Sequence, residues 1–176
     1  MPVIIDGSAG VTTTVGSVYN GLQSGTAQNS TSGTSILFAG IPSWAKRVTV
    51  MFNGVSLSGT ADLIIQIGSG SITTSGYITT WGYIYTASTA AVNSATTSII
   101  RAASINASTA FTGIATLTLL TGNTWVGVST LSSSADKIIT YSSGSLALSG
   151  LLDRVSVTTS NGTDTFDAGS INILYE

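Results

Sequence analysis

The chain has no histidine and no cysteine, and two prolines in 176 residues. Each absence closes off a chemistry. Without cysteine there are no disulfides and no thiolate ligands. Without His or Cys the usual zinc sites are excluded. The Ser-His-Asp and Cys-His arrangements are excluded as well, and with them the commonest general base near neutral pH. Charge is scarce: five basic and seven acidic residues make up 7% of the chain, against about 25% in ordinary domains. A net charge of -2 gives no electrostatic reason to bind nucleic acid. No segment approaches the roughly 18 apolar residues that cross a bilayer. The opening "MPVIIDGSAG" lacks the basic region and apolar run of a secretory signal. No nucleic-acid partner, membrane insertion or cofactor is therefore expected.

What is present is hydroxyl and aliphatic. About a third of the residues are Ser or Thr, a strong departure from ordinary usage. Mean hydropathy is nevertheless +0.45. That apolar excess needs burial, in strands covered on both faces and in subunit interfaces. The length fits one domain with an appendage. Residues 1–33 are rich in Gly, Ser, Thr and Asn, and "LQSGTAQNSTSGT" reads as a linker or extended arm. From residue 34 to 176, Val, Ile, Thr and aromatic residues favour strands, and glycines punctuate them at sandwich-like spacing. The expectation is all-β: an antiparallel β-sandwich of jelly-roll type, with nine or ten strands and an extended N-terminal arm for attachment or assembly.

In "KRVTVMF" Val48, Val50 and Phe52 share one face. After Asn53-Gly54 the apolar positions change parity, to Val55 and Leu57. A β-bulge in one bent strand explains this; a two-residue hairpin turn would too. The bulge is the better reading, because it lets "ADLIIQIG" return along residues 46–52. Residues 86–98 are featureless and read as a long loop. "GIATLTLL" and "TWVGVSTL" around "TGN" read as a hairpin.

Three groups could carry function. Tyr77, Trp81, Tyr83 and Tyr85 share one parity, and exposed rings in line on a strand stack on sugars. The plainer alternative is a core face or subunit interface, where most large aromatics lie. Asp164 and Asp167, with Asn161, could hold a hard cation or form a glycosidase-like carboxylate pair. Turn formation explains the same residues more simply. Asp153-Arg154 and Lys46-Arg47 could form ion pairs, or their arginine forks could fix Asp164 or Asp167. Sequons at Asn29, Asn106 and Asn161 matter only in a eukaryotic secretory pathway.

"IDGSAGVTT", "FAGIPSWAKRVTVMFNGVSLSG" with "LIIQIGSGSITTSGY", and the ending "LDRVSVTTSNGTDTFDAGSINILYE" together resemble modules of the tail-fibre proteins of tailed bacteriophages. The resemblance covers most of residues 34–85 and 144–176. It implies a virion structural protein: a homotrimeric tail-fibre component that joins other tail or capsid proteins through residues 1–33. Its distal domain would bind a host-receptor glycan. It carries no catalytic residues across, and it makes "DTFDAG" a structural signature. A capsid decoration protein is the alternative; a glycan depolymerase fits less well, since acids are few and His is absent.

Overall fold

The computed structural model describes residues 4–6, 10–12, 21–86 and 88–176, with only the backbone described at 4–6, 10–12 and 88–91. Residues 7–9 and 13 of the motif "IDGSAGVTT" therefore lie outside the described residues. Among those described there are sixteen strands and no helix. They are β1 (Ile4–Asp6), β2 (Gly10–Thr12), β3 (Gln23–Ser24), β4 (Gln28–Asn29), β5 (Ser35–Ala39), β6 (Arg47–Leu57), β7 (Leu63–Ser69) and β8 (Ser71–Ile72). The rest are β9 (Ile78–Tyr85), β10 (Ser88–Ala95), β11 (Ile100–Ala102), β12 (Phe111–Thr121), β13 (Thr124–Ser133), β14 (Ile138–Ala147), β15 (Arg154–Thr159) and β16 (Phe166–Tyr175).

β1 and β2 pair with each other. The others form two antiparallel sheets. The large one has nine strands in the order β10-β9-β14-β13-β12-β6-β16-β3, with β4 also on β16. The small one has five, β11-β7-β15-β5, with β8 on β7. They pack face to face over one core that includes Val48, Phe52, Ile65, Phe111, Leu117 and Val157. The antiparallel sandwich is the expected class. Its strands are unevenly divided for a jelly roll, which has eight strands in two sheets.

β6 explains the parity change. It runs unbroken from Arg47 to Leu57, with Val48, Val50, Phe52, Val55 and Leu57 all buried. Against β12, Phe52 faces Gly113 and Val55 faces Phe111, so Asn53 and Gly54 together oppose the single residue Thr112. This is a bulge, with Gly54 at φ 63°, a conformation that glycine adopts without a Cβ penalty. The Gly54 amide donates to Thr112 Oγ1 at 3.1 Å.

Four expectations need correction. "ADLIIQIG" does not return along residues 46–52. As β7 it enters the small sheet between β11 and β15, because β12 and β16 occupy both edges of β6. Residues 86–98 are not a long loop: β10 pairs with β9 from Ser88 to Ala95. The arm is also shorter than residues 1–33, since β3 and β4 pair with β16. The expected nine or ten strands are also too few, since sixteen are found among the described residues. β12 and β13 form the expected hairpin, turning at Gly122-Asn123 between the paired Thr121 and Thr124.

Candidate functional site

The aromatic series lies on β9 and just before it. Strand alternation puts Thr79, Trp81, Tyr83 and Tyr85 on the inner face of the large sheet, and Ile78, Thr80 and Ile84 on the outer face. Tyr77 precedes the strand and is 1% exposed. Its hydroxyl donates to the Thr73 carbonyl (2.7 Å) and accepts from the Ile67 amide (2.9 Å). Burial pushes its pKa up to about 12, against the smaller opposing effect of the hydrogen bond from Ile67. Tyr77 is thus a core residue that ties the two sheets together, and its ring is closed to a ligand.

Trp81 is half-buried, with the Arg101 guanidinium 5.1 Å from its ring centroid. Arg101 comes from β11 in the small sheet, and its Nε donates to Asp62 Oδ2 at 2.6 Å. The other Asp62 oxygen accepts from the Ser104 amide at 3.2 Å. One face of Trp81 is therefore capped by a cation that a carboxylate holds in place, a favourable quadrupole contact. The Trp81 indole N–H has no hydrogen-bond partner among the described residues. Tyr83 and Tyr85 follow on the same face, half-buried, beside Thr140 and Ile138 of β14. So the sandwich divides the four rings: one is in the core, one lies under an arginine, and two remain partly open.

The carboxylates sort into structural roles. Asp164 Oδ2 accepts from the Ala61 amide at 2.9 Å. Asn161 Oδ1 accepts from the amides of Thr163 and Asp164, both at 3.0 Å, and so builds the turn. Hydrogen bonding from Asn161, then from the Ala61 amide, holds the Asp164 carboxyl below its ordinary pKa. Asp167 accepts from the Ser56 hydroxyl. No arginine reaches either acid, contrary to one expectation. Arg154 instead forks onto its neighbour Asp153, at 2.7 and 3.0 Å, and Arg47 pairs with Glu176. Among the described residues no three acidic side chains come together.

Sequence reasoning missed the outer face of the large sheet. Register places Val92, Gly82, Tyr141, Thr130, Ile114 and Met51 in one continuous row across six strands. The next row runs Ser94, Thr80, Ser143, Val128, Thr116 and Thr49. Beside them Ile84 pairs directly with Ile139. Val92, Ile84, Ile114, Val128 and Ile139 are all exposed. Between Thr80, Val92, Tyr141 and Ser143 the missing side chain of Gly82 leaves a hollow of about 230 Å³. The signal was the alternation of apolar residues with Thr and Ser in β12 to β14, which marks two distinct faces but not what covers the outer one. A second groove, about 430 Å³, runs beside the open edge of β5 between Leu37, Gly40, Gln28 and Tyr175, where Gln28 Nε2 donates to the Leu37 carbonyl at 3.0 Å.

No family model and no curated protein sequence matches the chain. A chain from the structure of infectious bursal disease virus, Gx strain, aligns with 88% of this chain and 32% of its own length, at 12% identity and a TM-score of 0.18. This chain thus spans about a third of that one, and a likeness so slight carries no argument about fold or role.

Proposed function

We propose that this chain is a bacteriophage virion structural protein, a tail-fibre component that works as a homotrimer and presents its sandwich to the host surface. The observation that carries the reading is the outer face of the large sheet. It is a continuous field of aliphatic and hydroxyl side chains, uncovered among the described residues of a chain whose mean hydropathy is +0.45. Contiguous exposed apolar patches beyond a few hundred Å² mark interaction sites in soluble proteins. The residues that precede β3 join the other virion proteins, and Tyr83 and Tyr85, beside the Arg101-capped Trp81, are the rings still able to meet a host glycan.

Gold-labelled antibody on intact virions tests the reading. Label at the tail fibres is the expected result. Label over the capsid shell would transfer the protein to the decoration class, and unlabelled virions would refute both. The glycan role has its own test: Tyr83→Ala combined with Tyr85→Ala should lower host adsorption at least tenfold at unchanged oligomer mass. Adsorption equal to wild type would remove it.

A further inference from the structure

We infer that the outer face of the large sheet is the surface that copies of this chain bury against one another, each copy of the trimer turning its β9, β14, β13 and β12 towards the threefold axis and its two neighbours. The inference rests on the assembled state proposed above and names the surface that makes it.

Extent is the first argument. Six adjacent strands at about 4.8 Å, over a run of about seven residues at about 3.4 Å, give a flat area of about 700 Å². A stable association buries about 800 Å² on each partner, and side chains make accessible area larger than its flat projection. The face is therefore one standard interface in size.

Charge is the second. Any contact between copies near a symmetry axis brings like residues close together, and like charges there oppose association. The rows through Tyr141 and Val128 contain no ionisable group other than the Tyr141 phenol. The cation that shares their face, Arg47, sits at its margin and is paired with Glu176. An anionic membrane or a nucleic acid would need cations here. A sugar would need a ring platform, and this face offers one aromatic side chain, Tyr141, in a field of aliphatics.

Shape is the third. The hollow over Gly82 is walled by Val92 and Tyr141, and Ile114, Val128 and Ile139 stand out from the same face one to three strands away from β9. A copy of the face thus carries both the recess and the aliphatic projections to fill such a recess. Interface energy concentrates in well-packed, desolvated pockets and favours tyrosine among their residues, and Tyr141 lines this one.

The test uses the whole protein. Light scattering on the wild type should give a multiple of 17.8 kDa. Val128→Lys and Ile114→Glu point into solvent in a single copy, so each should fold, keep its far-ultraviolet circular dichroism and run at the mass of one copy. Leu37→Lys, exposed on β5 of the small sheet, should leave the mass unchanged. A native chain without cysteine allows a second readout. A single cysteine at Val128 should react with a maleimide at least tenfold more slowly than one at Leu37. A monomeric wild type, outer-face variants that keep the full mass, or equal labelling rates would each overturn the inference. None of these outcomes depends on where the protein sits in a virion, so the surface and the fibre role can fail separately.

Discussion

Tyr77 shows how one hydroxyl can set local stability. It is the partner of the buried Ile67 amide, and a buried amide left without a partner costs about 1–3 kcal/mol. Tyr77→Phe should lower unfolding free energy by roughly that amount in urea titrations. The sign of its pH effect follows from the raised pKa. Folding favours the neutral phenol, so that stability is complete below the unfolded value of about 10. It is lost as pH rises towards the folded value of about 12. Thermal midpoints should fall over this window, and less steeply in Tyr77→Phe. Two glycines separate backbone cost from steric cost. Gly54, at φ 63°, has open space where a Cβ would lie. Gly54→Ala should therefore cost only the left-handed penalty of about 1–2 kcal/mol, and Gly54→Asn less, since Asn tolerates that region. A Cβ on Gly144 would press on the Ile99 carbonyl and the Thr79 hydroxyl. Gly144→Ala should cost about 1–3 kcal/mol by overpacking, and Gly144→Asn more still. Equal ranking of Ala and Asn at the two sites would contradict this division.

Among the elements, β9 and β11 meet through Arg101, Trp81 and Asp62. Arg101→Ala removes a stacked cation and leaves Asp62, whose side chain is 14% exposed, without its charged partner. Roughly 1–3 kcal/mol of stability should go, and Trp81 fluorescence should shift to the red as the ring meets water. An unshifted spectrum would mean that the guanidinium does not shield the ring. How far such elements could be read from sequence depended on their side chains. β6 was legible because its apolar residues are large and the Asn-Gly step changes their parity. The β12–β13 hairpin was legible through "TGN". β10 was not, because "STAAVNSA" has only small residues with one Val and shows no period. The place of β7 was not legible either, since "LIIQIG" is apolar at nearly every position and could enter either sheet. For Tyr77 and Trp81, parity gave the shared line of the rings. It could not give depth, which depends on how far the small sheet extends over the large one.

Across the whole molecule the lack of histidine has a measurable consequence. No side chain with an ordinary pKa between 5 and 8 is present, so stability should be flat over that range. Below it, three carboxyls held under their ordinary values matter: Asp136 through Asn106, Asp153 through Arg154, and Asp164 through Asn161. A lowered pKa contributes stability that is present above the unfolded value of about 4 and lost as pH falls through the folded value. Melting temperatures should hold steady from pH 8 to 5 and drop below about 4. A steady decline beginning at pH 7 would contradict this.

The position of β6 also bears on time. It sits between β12 and β16 and pairs Val50 with both Ala115 and Ile173, residues made long after it. Until they emerge from the ribosome, a strand with Val48, Val50 and Phe52 on one side has two open edges and no neighbours. Pairings this distant in sequence close slowly, and open apolar edges are where chains join the wrong partner. The strand that ends up between two partners is therefore the one most in need of protection while the chain is being synthesised.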